Sequence, residues 1–246
     1  PYPSLASMSG WAVTLEGKAS KGAFPGGADH GAAAALDDAI AEVAAVSEQV
    51  SRATLEYARQ CVNPAELLQH VDTVTAVKRG RAFYRLLELA AEVPAVRQGC
   101  EGITLHLCEA PGNFVDGVLA VSERRADWHA MSLVQPDAPR FYEHLVCAKK
   151  PNGHARVIFG ERGDGDVLVE SNVACAVHEV GAATAALVTA DADAPTPATL
   201  AAQVRIAPLA LAKGGCLVLR FDCDGPAVRA PLAPLRSLFG PVAIRP

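Results

Sequence analysis

Residues 103–116 read I-T-L-H-L-C-E-A-P-G-N-F-V-D, and the rest of the chain is best read outward from them. Ile103 to Leu107 is a short, mostly apolar run that suits a buried strand, and a helix is expected to open at about Asn113. Pro111 and Gly112 mark the turn between them: proline fixes φ, and glycine lets the backbone turn and approach a ligand with no Cβ in the way. A strand, a small-residue turn and a helix N-terminus together make a place for a polar or anionic ligand at the carboxyl end of a parallel strand. Glu109 sets a carboxylate beside that turn, suited to bonding the ammonium or a hydroxyl of a bound metabolite. Taken alone, the fragment also fits an ordinary strand–turn–helix connection. The remainder of the chain has to decide.

Downstream, apolar strand-like runs alternate with helical stretches. Residues 127–133, 155–159, 185–190, 216–221 and 242–245 read as strands. Helices are expected from about Asn172, over 196–212, and near 227–239. The second of these is expected to end at Lys213-Gly214-Gly215, with glycine as the cap and the lysine as a C-terminal charge. Residues 160–166, G-E-R-G-D-G-D, form a tight acidic turn in which Asp164 reads as a turn former. Near-continuous apolar strands alternating with helices indicate an α/β fold with a doubly wound, mostly parallel sheet. Ligand sites of such sheets lie outside the carboxyl ends of the strands. Residues 109–113, residues 163–166 and Asp191 all fall on that edge.

Upstream, residues 1–31 carry Gly, Ser, Pro, Tyr2 and Trp11 without sustained periodicity, and are expected to be an arm that docks against the domain or a partner. The Ala-rich stretch 31–60 repeats Leu36, Ile40, Val43, Val46 and Val50 at helical spacing, as a packing helix would. Asn63-Pro64 breaks it and a second helix follows. Residues 76–92 combine a basic start (Lys78, Arg79, Arg81, Arg85) with an apolar face (Phe83, Leu86, Leu87, Ala90). Basic residues at a helix start oppose the macrodipole and make sense beside an anion such as an RNA phosphate. The chain therefore divides into an N-terminal arm with helices, 1–75, and an α/β domain, 76–246.

Bulk properties set the limits. A chain of 246 residues, half of them hydrophobic, can bury the core of one large domain,. A formal charge of −5 means that nucleic acid would have to be met by a local basic patch,. Seven cysteines without framework spacing, several in apolar runs (Cys108, Cys216, Cys223), read as reduced thiols of an intracellular protein,. No cysteine or histidine spacing suggests a metal site. No apolar run reaches the roughly 18 residues of a membrane span. Proline at position 1, with neither initiator Met nor signal peptide, reads as a processed product or a piece of something larger.

Several motifs in fixed order give the chain a family likeness. These are L-C-E-A-P-G-N-F (107–114), W-H-A-M-S-L (128–133), G-D-G-D-V (163–167), L-V-T-A-D-A (187–192) and A-L-A-K-G-G-C-L-V-L-R-F (210–221), preceded by R-A-F-Y-R-L-L-E-L (81–89). Over about residues 78–246 the chain resembles FtsJ-type, S-adenosylmethionine-dependent RNA ribose 2'-O-methyltransferases, nearest their mRNA-cap branch. The resemblance implies a Rossmann-like methyltransferase fold. It implies that Glu109, Ala110, Pro111, Gly112 and Phe114 line the methionine and ribose part of the cofactor. It also implies that Asp166 reaches the adenine amino group, with Val167 beside the ring.

At the catalytic positions the chain departs from the family. A Lys-Asp-Lys-Glu set is implied there, in which a lysine helps deprotonate the ribose hydroxyl. The corresponding positions here are Arg85, Asp191 and Arg220. A lysine can lose its proton when its surroundings lower its pKa, whereas a guanidinium in practice cannot. Arg220 could still orient the hydroxyl or stabilise an alkoxide, but it is a poor general base. Lys78 and Lys213 read as a phosphate contact and a helix-terminal charge, not as replacements. The glutamate would follow a K-P-like dipeptide, which appears here as Arg245-Pro246, so the last strand is expected to come from elsewhere or to be absent. His106, His129 and His178 show no ligand spacing and read as core or surface histidines. Two readings stand: a methyltransferase with an altered constellation, or an inactive RNA-binding or scaffolding subunit of a larger ribonucleoprotein or capping assembly.

Overall fold

The strand expected at the centre forms with the expected bounds, Ile103–Leu107, which we label β2. The computed structural model describes residues 11–16, 79–147, 156–192, 195–221 and 242–245, together with Leu235 and Phe239. Parallel neighbours flank β2 on both sides: β3 (Asp127–Met131) and β5 (Ala185–Ala190). The short β4 (Val157–Ile158) adds beyond β3, and β6 (Leu211–Phe221) adds beyond β5, both parallel. These five parallel strands, with helices on both faces, are the α/β Rossmann-like core.

Alternation along the strands sorts the two faces. Leu105, Leu107, Val188, Ala190, Leu217 and Leu219 pack in one cluster with residues of α5 (Glu170–Val180) and α6 (Pro197–Ala210). Leu187, Cys216 and Val218 pack on the other face with α1 (Arg81–Glu92), α2 (Pro94–Gly99) and α3 (Asn113–Val121). Leu86 and Leu187 are wholly buried, and each such side chain contributes about 1.5–3 kcal/mol on leaving water. Helix α1 lies close on α3 because Gly117 has no side chain: a Cβ there would stand 2.8 Å from Leu86 Cδ2.

One polar set is buried in the centre of the sheet. The His106 ring meets Thr104 Oγ1 at 2.9 Å and Thr189 Oγ1 at 2.7 Å. Burial, with His129 nearby, lowers its pKa to about 3, so it is a neutral, bonded core histidine,. His129 is buried as well, and His178 sits exposed on α5.

Elsewhere the structure corrects the expected bounds. The strand read over 127–133 ends at Met131. The helix read over 196–212 runs from Pro197 to Ala210; Leu211 caps it in an extended conformation, so no glycine does. Lys213, Gly214 and Gly215 belong to β6, where Leu211 pairs with Ala185 across an irregularity in register. Lys213 is therefore an exposed strand residue and not a helix-terminal charge. Pro208 lacks an N–H near the end of α6, and β5 offers the next residues a partner edge, so pairing prevails over capping,. Helix α5 opens at Glu170, two residues ahead of the expected start.

Within the N-terminal arm, Trp11–Glu16 forms β1, antiparallel to β6 from Trp11 opposite Phe221 to Glu16 opposite Cys216. β7 (Val242–Arg245) pairs with β1, also antiparallel. The sheet thus runs β4-β3-β2-β5-β6-β1-β7. The helices expected over 31–60 and from Ala65, and Lys78, lie outside the described residues, as does most of 227–239; Leu235 and Phe239 of that stretch are buried in the core. Among the described residues no disulfide joins Cys100, Cys108, Cys147, Cys175 or Cys216. No helix among them is long and apolar enough to cross a membrane.

Candidate active site at the carboxyl edge

The backbone reverses sharply where β2 ends. Cys108 takes a left-handed φ of 58° while its N–H donates to Met131 O at 2.8 Å, tying the end of β2 to β3. Burial pushes the Cys108 thiol up to about 12, so it is no nucleophile,. Ala110 and Pro111 follow through a cis peptide, and Gly112 turns with φ 113° to cap α3. A side chain at Gly112 would run into Leu145, so glycine is required there by conformation and by space,.

Glu109 lies inside this turn, only 3% exposed. Its Oε1 accepts from Phe114 N at 2.6 Å, at the N-terminus of α3, while Oε2 has no partner among the described residues. Burial, reinforced by the charge of Asp191, raises the Glu109 carboxyl well above the usual range, against the pull of the Phe114 and Val115 amides,. A buried carboxylate with one oxygen anchored and one unused is suited to a cationic or hydroxyl-bearing ligand.

Asp191 follows β5 directly, and its N–H donates to Leu107 O at 3.1 Å, so it stands beside the turn. Its Oδ1 accepts from Arg220 Nη1 on β6 at 3.1 Å. The structure therefore joins two of the three expected catalytic residues in one ion pair. Arg85 it places on α1, 3.9 Å from Glu88 of the same helix. Just ahead of α1, the Arg79 guanidinium lies over the Phe83 ring, 4.3 Å from its centre.

The acidic loop after β4 is built differently. Asp164 Oδ1 accepts from Asn172 Nδ2 at 2.6 Å and Asp166 N at 3.2 Å, and its Oδ2 pairs with Arg162 at 3.1 Å. The Asn172 bond first, then these others, hold Asp164 below its usual range. Asp166 Oδ1 accepts from Leu168 N at 2.8 Å. Gly165, at φ 64°, packs its bare Cα on Ser132 O. Asp164 is thus the turn former expected. Asp166 is half-buried at the rim, while Val167 is 4% exposed and belongs to the main core. Exposed apolar side chains surround this rim: Leu133 and Val134 after β3, Phe159 after β4, and Leu168.

Three residues of this edge escaped the sequence reading. Asn172 is buried and bonds Asp164, the Asp166 carbonyl and the Arg162 amide, fixing the loop from α5. Tyr142, just before the short α4 (Glu143–Val146), donates its N–H to Pro111 O at 2.9 Å and its hydroxyl to Asn113 Oδ1 at 3.0 Å. Burial, with the charges of Asp116 and Glu109, raises the Tyr142 pKa. Asn113 itself was read only as a helix start. An amide directly after a P-G turn was the available signal for it; Tyr142 had none.

Among the described residues no cluster of His, Cys, Asp and Glu could hold a metal ion. Residues 78–246 match the family model described as FtsJ-like methyltransferase. No curated protein matches the chain.

Proposed function

The chain belongs to the FtsJ-like methyltransferase family, and from that premise we propose that it methylates an RNA ribose 2'-hydroxyl, on capped mRNA or ribosomal RNA, through an altered constellation. Methyltransferases of this family generally use S-adenosylmethionine, which supplies an electrophilic methyl group on a sulfonium. The observation that carries the reading is the unpaired, buried Oε2 of Glu109 in a turn that ends at a helix N-terminus. That oxygen suits the ammonium or ribose hydroxyls of the cofactor, and Gly112 permits close approach. Ala110, Pro111 and Phe114 complete this wall, and Asp166 stands on the adenine side with the apolar rim around it. Val167 supports that rim from the core beneath.

On the chemical side, Asp191 orients Arg220 through their 3.1 Å pair, and the guanidinium presents fixed positive charge where an alkoxide would develop,. Arg79, just ahead of α1, with Arg81 and Arg85 in its first turns, brings the positive charge an RNA phosphate requires to the start of that helix,. A guanidinium does not take up a proton, so the ribose proton would leave to solvent. A slow enzyme is therefore expected.

The Arg220–Asp191 pair also favours a second reading. Its carboxylate is already neutralised by a group that cannot act as a base, as in an inactive RNA-binding or scaffolding subunit. Two measurements decide. Calorimetry should give micromolar S-adenosylmethionine binding, worth about 8 kcal/mol; no binding overturns the cofactor assignment. Arg220→Lys should then raise methyl transfer to RNA. No gain, with cofactor bound, selects the scaffold.

A further inference from the structure

We propose that Asn113 is a positioning residue that fixes the arginine-bearing helix α1 in register with the cofactor turn; the inference rests on the functional reading above. Three separate parts of the chain meet on its side chain. Oδ1 accepts from Gly80 N, at the start of α1, at 2.7 Å, and from the Tyr142 hydroxyl at 3.0 Å. Asn113 is itself the first residue of α3, directly after Gly112. Tyr142 is held to the turn a second time, through Pro111 O. One carbonyl oxygen therefore ties the turn, the segment after β3 and the start of α1 together.

The fit at Gly80 shows that the contact is close. A Cβ at Gly80 would stand 2.5 Å from Asn113 Nδ2 and 2.8 Å from Cγ, so a side chain there would push the amide out of place. One turn along α3, Gly117 receives Leu86 of α1 in the same way,. The two contacts differ in kind. The apolar seat at Gly117 holds the helices together but tolerates sliding along their axes, whereas a directed hydrogen bond at Gly80 sets the register. Arg85 lies between these two points on α1, so its placement relative to the turn depends on both.

The test uses the full chain with S-adenosylmethionine by calorimetry and a labelled single-stranded oligoribonucleotide by anisotropy. Asn113→Ala should leave cofactor affinity within about threefold and weaken oligonucleotide binding about tenfold, the scale of two lost hydrogen bonds. Asn113→Asp keeps the acceptor oxygen and should restore binding; Tyr142→Phe removes one donor and should fall between. Gly80→Ala should reproduce Asn113→Ala. Equal losses of both ligands in Asn113→Ala, no loss of either, or failure of Asn113→Asp to restore would overturn the proposal. Wild-type protein that binds no oligonucleotide, or no cofactor, counts against the functional reading instead. The proposal is then decided by amide exchange at residues 82–84: faster in Asn113→Ala and restored in Asn113→Asp supports it, and no change overturns it.

Discussion

The turn after β2 buries its carboxylate and leaves half of it unpaired, whereas the loop after β4 sets two carboxylates near the surface and satisfies them with its own amides and the side chains of Asn172 and Arg162. Glu109 has a single oxygen occupied and a raised pKa. Asp164 has both oxygens occupied and a lowered pKa. Both loops lie on the carboxyl edge, and both carry glycine and acid. The difference is one of supply: where backbone amides and Asn172 satisfy the acid, the loop is a shape, and where burial outruns them, an acceptor is left for a ligand.

Substitutions should separate the two loops. The largest effect is expected at Gly165, where a methyl group meets both a left-handed φ and Ser132 O. Gly165→Ala should cost about 3 kcal/mol in urea unfolding. At Gly163, with φ 75° and open space around it, the same change should cost only about 1 kcal/mol,. Equal costs would mean that the loop does not rest on Ser132. Next, Glu109→Gln should weaken S-adenosylmethionine binding up to about 100-fold, the loss of a charge-assisted bond.

Protonation sharpens the same contrast. The Glu109 carboxyl ionises less readily in the fold than in the unfolded chain, where its value is near 4.5. Stability should therefore decline as pH rises from 4.5 through the raised folded value, and cofactor affinity should rise over that range as the carboxylate forms. Glu109→Gln should flatten both profiles. Profiles that survive the substitution would assign the titration to another group. The smallest effect is expected at the outer loop: Asp166→Ala should weaken the cofactor about tenfold with the unfolding midpoint unchanged. Unchanged affinity would remove Asp166 from the site.

The sequence made the parallel core legible because its strands are apolar runs bounded by breakers. β2 and β5 formed with the expected bounds for that reason, and β7, at the antiparallel border, also kept its expected bounds. Lys213-Gly214-Gly215 misled because glycine after a helical pattern fits a cap and an irregular strand equally well, and the choice was made by β5, a neighbour far away in sequence. β1 was hidden for the same cause, since the stretch of β6 that it pairs with runs from Cys216 to Phe221. In the site, Glu109 and Asp191 were found from local motifs. Asn113, Tyr142 and Asn172 were not, because their roles consist of contacts to segments that no local pattern connects.

The position of β1 also bears on how the sheet is made. Trp11 is synthesised roughly 200 residues before Phe221, the residue it faces,. At about 5–20 residues per second, β1 waits on the order of 10–40 seconds for the edge that receives it. β7 waits in turn on β1, its partner from Leu15 opposite Val242 to Ala12 opposite Arg245. The parallel strands have no such delay, each finding a neighbour soon after it emerges. The sheet is thus completed late, at one border, by an early segment kept in reserve.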